Sequence, residues 1–328
     1  MSERLRDRPN DLNALIGITA KALRMSAVYI EKDFWVAEVL RAACVEQTIT
    51  LPDGSLAPVT FTFKGGTSLS RVFRIVERFS EDVDLLAEFP AEASPNARHK
   101  ILKSVDEAVR NHLHFGNERV SVVSSTTGVK RNTTYAYPTA RHDSSLKEGV
   151  LLELGSRGGT QPSTTYQYRS LIADHAITVL GDAESAWEEF ASFDVTVLAP
   201  ERTLFEKLAA VHDAASRNDT AALMKHGRHF YDIYRLLENE QVAGILETIS
   251  SVDKQQLIRD IEEHSSTAGF SWTKRPVGGY GSSPACDPHH ASRAAIETGY
   301  KAAQPLIYGE RVSLDEVLAS MERLRDLL

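Results

Sequence analysis

Asp82 and Asp84 stand one residue apart in the short apolar run DVDLL. In an extended strand alternate side chains share a face, so the two carboxylates point together while Val83 and Leu85 point the other way, into a core. Adjacent carboxylates repel one another, and a divalent cation between them removes the repulsion. Hard oxygen donors at this spacing suit Mg²⁺ (or Mn²⁺), which in turn carries the phosphates of a substrate. A solvated acidic edge strand is the other reading. One helix upstream, Gly65-Gly66-Thr67-Ser68-Leu69-Ser70 joins a strand to a helix. A glycine pair there brings backbone N–H groups and a helix start to one point, with the hydroxyls of Thr67, Ser68 and Ser70 beside them, which suits a phosphate. The same letters also spell an ordinary tight turn with an N-cap. Ser80, two residues before Asp82, faces the same side if the strand already runs extended there. It then either caps a turn or is a point of control, since a phosphate on it would add negative charge beside the two carboxylates.

These residues need a frame. VTFTFK at 59–64 alternates Val59, Phe61 and Phe63 with polar positions, a half-buried strand. Leu69, Val72, Phe73 and Val76 then fall on one helical face, so the order is strand, glycine turn, helix, and DVDLL is the next strand. Two helices are expected over 11–46, another over 97–113, strands near 119–124, 132–137, 149–154 and 192–198, and a helix at 182–190. Beyond Pro200 helix formers take over: 201–215, 219–225, 227–238, 241–249, 253–264, 290–304 and 313–327, the last opened by a Ser313/Glu316 capping box. The expected organisation is an α/β domain over 1–199 with a mixed sheet, followed by a helical C-terminal domain over 200–328. The Gly/Pro/Ser-rich stretch 271–289 is expected to be a long loop.

With 328 residues, 42% hydrophobic and 25% charged, the chain is an ordinary folded protein. Cys44 and Cys286 are too few for a disulfide framework, and no run is long and apolar enough for a membrane span. The expectation is a cytoplasmic protein. Its 37 Lys and Arg against 45 Asp and Glu leave a net charge of −8, so a polyanion must dock on a local patch. Candidate clusters are Arg4, Arg6 and Arg8; Arg71, Arg74 and Arg78; Lys130 and Arg131; Lys225, Arg228 and His229; and Lys274 with Arg275. Each is equally readable as a solvated face.

The wording of KGGTSLSRVFRIVERFSEDVDL resembles the first motif of the AbiEii/AbiGii-type nucleotidyltransferase toxins, a branch of the DNA polymerase β superfamily. The resemblance extends to EKDFWV at 31–36, PERTLFEKLAAVHD at 200–213 and RHFYDIYRL at 228–236. It implies a nucleotidyltransferase fold and an enzyme that moves a nucleoside monophosphate from a nucleoside triphosphate to an acceptor hydroxyl, RNA and first of all the 3′ end of tRNA. It also implies a cognate antitoxin, in a toxin-antitoxin or abortive-infection pair. A protein acceptor, or a non-catalytic interaction protein that keeps the fold, are the alternatives.

Carried over, the family pattern assigns the phosphate cradle to Gly65, Gly66, Thr67 and Ser70, metal binding to Asp82 and Asp84, and further site roles to Lys207 and Asp232. Lys207 lies at the edge of the stripe Leu204, Leu208 and Val211, where a lysine can snorkel into a cleft and meet a triphosphate; a surface lysine is the plain alternative. Asp232 falls off the stripe Phe230, Ile233, Tyr234 and Leu237 and reads as a non-core residue. There it either serves the site or simply pairs with Arg228 or Arg235. A third metal carboxylate is common in the superfamily, and Glu153 in VLLELGSR is the candidate. Glu31, Lys32 and Asp33 read as a charged helix face with no assigned chemistry.

Overall fold

A computed structural model of the chain describes residues 3–143, 146–267 and 272–328. They form two compact units. The first, residues 1–67, 81–156 and 163–197, is built on a mixed eight-stranded sheet: β1 (Gln47–Thr50), β2 (Leu56–Lys64), β3 (Asp82–Glu88), β4 (Val120–Thr126), β5 (Lys130–Tyr135), β6 (Val150–Gly155), β7 (Ser163–Tyr168) and β8 (Phe193–Leu198). The order is β4-β5-β6-β3-β2-β8-β7, with β1 added to β2. β3 runs antiparallel to β2 and parallel to β6, and β2 runs parallel to β8. β3 is therefore an interior strand with Val83, Leu85 and Leu86 buried, which disposes of the solvated-edge reading of DVDLL.

In chain order the helices are α1 (Pro9–Leu23), α2 (Ala27–Ala43), α3 (Gly65–Arg71), α4 (Pro95–Leu113) and α5 (Leu171–His175). Ser94 caps α4 through its hydroxyl, accepting from Ala97 N, with Pro95 at the first turn. α2 lies against α1, α4, α5, β3 and β6, and thirteen of its seventeen residues are buried. A helix enclosed on all sides cannot leave charges unpaired. Glu31, Lys32 and Asp33 are buried, so the expected charged outer face is overturned.

The second unit takes in 68–80 and 157–162 with 198–328: α6 (Pro200–Ser216), α7 (Thr220–Lys225), α8 (Gly227–Leu237), α9 (Glu240–Thr248), α10 (Ser251–Thr267), α11 (Arg293–Ala303) and α12 (Leu314–Arg323). Leu204, Leu208, Phe230, Ile233, Tyr300 and Met321 belong to its apolar core. The Ser313/Glu316 capping box forms at α12. The fold is thus α/β with a mixed sheet and a helical C-terminal region.

Two expectations fail locally. The helix after the glycine pair stops at Arg71, because Arg74 takes a left-handed φ of 55° and Ile75 N turns back to Leu69 O; Val76 still reaches the core, from an irregular segment. Over 182–190 there is only the 3₁₀ turn Glu188–Phe190, preceded by a π-turn at Ala176–Leu180 that ends on Gly181 at φ 80°. The expected long loop opens at residue 271, which lies outside the described residues. From 272 it is tied down, with His212 hydrogen-bonded to Ser283 and Lys274 O and with Tyr280 buried against Phe205 and His212.

Candidate active site

Asp82 opens β3 and Asp84 follows on the same face. Sheet register then decides their neighbours: Asp84 lies opposite Lys64 of β2 on one side and Glu153 of β6 on the other. Asn132 of β5 donates to Glu153 Oε1 at 2.8 Å. Burial, then the Glu153 carboxylate, then Asp82 push the Asp84 carboxyl up to about 7, against a weaker pull from Lys64. A protonated Asp84 donates its hydrogen bond to Glu153.

The glycine turn is built against this pair. Gly65 has φ 83°, and a β-carbon there would overlap Asp84 Oδ2, so both the backbone angle and the space require glycine. Gly66 is buried. The Thr67 hydroxyl donates to the Asp82 carbonyl at 2.6 Å, tying the helix start to the carboxylate strand. Ser68 and Ser70 are buried residues of the helical unit. Ser80 is half-buried in the segment ahead of β3, which begins only at Asp82.

Two lysines complete the sheet unit's site. Lys147 Nζ stands 3.5 Å from both carboxylate oxygens of Asp82, on a side chain that is 60% exposed. Its backbone is fixed, because Lys147 N donates to Glu81 Oε2 at 2.8 Å and the buried Lys32 donates to Lys147 O at 2.6 Å and to Gly149 O. Lys32 also pairs with Glu81 at 3.3 Å. Burial holds the Lys32 ammonium below its usual range, outweighing the attraction of Glu81.

Lys207 and Asp232 come together in the helical unit, their side chains 2.8 Å apart. Asp232 is fully buried, which corrects its reading as a non-core residue. The partner is neither Arg228 nor Arg235 but Arg78, which clasps it bidentately with Nε 2.5 Å from Oδ1 and Nη2 2.6 Å from Oδ2; Arg235 goes to Glu77 and Ile75 O instead. Burial alone would raise the Asp232 pKa, but Arg78 and then Lys207 outweigh it and hold it at about 2. Lys207, 7% exposed, is itself lowered by burial and by Arg78 despite Asp232.

Residues 55–299 match the family model described as nucleotidyl transferase AbiEii toxin, type IV TA system. The chain belongs to the AbiEii family. AbiEii membership makes it a nucleotidyltransferase toxin of a type IV toxin-antitoxin system, with a nucleotide substrate and an antitoxin partner. The matched span holds the glycine turn, all three carboxylates, Lys207 and Asp232, whereas Lys32 lies ahead of it. No curated protein is matched by the chain. Among the described residues no helix of this AbiEii protein is long and apolar enough to cross a membrane.

Whether the AbiEii site fits a cation is a question of donors. Among the described residues no three His, Cys, Asp or Glu side chains are arranged as a ready metal cage, and Asp84 and Glu153 share a hydrogen bond instead. The donor chemistry nevertheless fits: three carboxylates lie on adjacent strands, and burial, then Glu153 and Asp82, hold a proton on Asp84 up to about 7, a crowding of carboxylates that a hard divalent cation neutralises.

The basic clusters read from the sequence are largely consumed by internal pairing. Arg6 is buried among Glu38, Glu188 and Glu189, Arg78 holds Asp232, Arg131 holds Asp106, and burial keeps His229 far below its usual pKa and so uncharged. The sequence reading singles out Arg78 only in a basic cluster and Lys32 only in a charged helix face, and does not single out Lys147. Lys32 did leave a signal, a lysine set among Ile30, Phe34, Trp35 and Val36.

Proposed function

We propose that this AbiEii protein transfers a nucleoside monophosphate from a nucleoside triphosphate to the 3′-hydroxyl of an RNA, tRNA first, in the cytoplasm, with Asp82, Asp84 and Glu153 holding Mg²⁺ or Mn²⁺. The observation that carries this reading is the register of β3 and β6, which sets Glu153 beside a buried Asp84, so that burial and then Glu153 push the Asp84 carboxyl up to about 7. Three carboxylates crowded on an interior sheet weaken the fold electrostatically and have a use only if a cation joins them. When bound, the cation supplies an activated hydroxyl and neutralises charge on the leaving group.

The chain's own part is positioning. Gly65 leaves space beside Asp84 that any side chain would fill, and Thr67 fixes the glycine turn to the carboxylate strand. A bond forms between the acceptor oxygen and the α-phosphorus, the bond from that phosphorus to the bridging oxygen breaks, and pyrophosphate leaves. Lys207, braced by Asp232 and Arg78, is read as the triphosphate's point charge. Incubating the protein with Mg²⁺, each α-labelled triphosphate and total cellular RNA tests the reading: label on RNA 3′ ends is expected, and label on protein instead identifies the other acceptor class.

A further inference from the structure

A cavity of about 700 Å³ opens in the sheet unit, walled by residues 136–139, 141–143 and 146–149 together with Arg119 and Val28. Its volume lies within the roughly 300–1,000 Å³ of sites that enclose a small ligand, the size of a nucleotide or two. The charges on its wall run against those of the chain as a whole: three cations, Arg119, Arg141 and Lys147, share it with two carboxylates, Asp143 and Glu148, in a protein of net charge −8. Arg141 is paired with Glu31 and Lys147 with Asp82, which leaves Arg119 as the wall cation with no carboxylate partner among the described residues.

Several wall residues are held in place. Among the described residues the Arg119 guanidinium meets the Ala136 carbonyl at 3.2 Å and the Phe115 ring at 6.0 Å, and no carboxylate. Arg141 is anchored by Asn13 and Glu31. Tyr137 lines the cavity with its ring stacked on Trp35, centroids 5.5 Å apart and planes 13° from parallel, a rigid platform of the kind on which an unpaired base stacks. Lys147 belongs to the wall and its ammonium lies 3.5 Å from Asp82, so one wall residue links the cavity to the carboxylates. Gly65 touches the other aspartate, Asp84. The glycine turn and the cavity therefore meet the carboxylate pair through different members.

We infer that this cavity binds the single-stranded, phosphate-bearing 3′ end of the acceptor RNA, with Arg119 as a phosphate contact and Tyr137 as the base platform, and that it is separate from the triphosphate's place at the glycine turn. The inference rests on the nucleotidyl-transfer reading.

Fluorescence anisotropy of a short single-stranded RNA with a free 3′-hydroxyl tests it on the full chain, alongside steady-state transfer. Arg119→Gln is expected to raise the RNA dissociation constant roughly tenfold and to make its logarithmic salt slope shallower by about 0.7, with the KM for triphosphate unchanged. Arg119→Lys, which keeps the charge, is expected to restore most of the affinity and so separates charge from folding. RNA affinity indifferent to Arg119, a raised triphosphate KM with RNA binding intact, or label carried to a protein would each overturn the cavity's role while transfer itself stands. No transfer by the unaltered protein to any acceptor would instead overturn the reading beneath it.

Discussion

Gly65 and Arg78 each hold an aspartate in place, by opposite means. Gly65 does so by having no side chain: at φ 83° an alanine carries a left-handed strain of about 1–2 kcal/mol, and its β-carbon would displace the Asp84 carboxylate. Gly65→Ala is therefore expected to lower melting temperature modestly while removing most transfer activity, and retention of activity with the same loss of stability would show that Asp84 need not sit where it does. Arg78 acts by charge. Deleting it leaves Asp232 buried against Lys207 alone, a loss of about 3–5 kcal/mol by analogy with broken buried pairs, and Arg78→Lys should recover little because the bidentate geometry goes with the guanidinium. The pH dependence has a definite sign. Asp232 titrates at about 2 in the fold and near about 3.9 when unfolded, so its contribution is complete above the higher value and lost as pH falls towards the lower. Urea unfolding at stepped pH should show an acid decline that Asp232→Asn flattens.

The secondary elements were legible where one face is apolar and the other wet. β2, β3, β6, α4 and the capped helix α12 follow from alternation, helical spacing and cap residues, and the carboxylate spacing of DVDLL placed the site. The edge strand β7 was not: it reads STTYQY, rich in strand formers, but most of its residues face solvent, so no apolar alternation marks it. Glu153 was placed on its strand by the pattern of VLLELG, but only sheet order puts it beside Asp84. Arg78 and Lys147 were illegible for a related reason, since nothing local says which charge will meet a partner more than sixty positions away. α2 shows what such a contact does. Lys32 ties that helix to the turn before β6 through two carbonyls and Glu81. Lys32→Met keeps the stem and removes the ammonium, and is expected to destabilise the protein by about 3–5 kcal/mol and to loosen residues 147–149. Hydrogen exchange checks the second point: protection at Lys147 N equal to that of the unaltered protein would assign Lys32 no part in holding the turn.

Over the molecule, negative charge prevails, several arginines of the sequence's basic clusters are paired internally, and the cavity wall meets Asp82 through Lys147. Catalysis by the carboxylate row is the point on which the rest depends. The direct measurement is transfer of α-labelled nucleotide at saturating Mg²⁺ by the unaltered protein, Asp82→Asn and Asp84→Asn, with melting temperatures taken on the same preparations. Removing either charge relieves repulsion, so both variants should melt no lower than the parent while losing at least about a hundredfold in transfer rate. Variants that melt normally and transfer label at the parent's rate would contradict the assignment of the site.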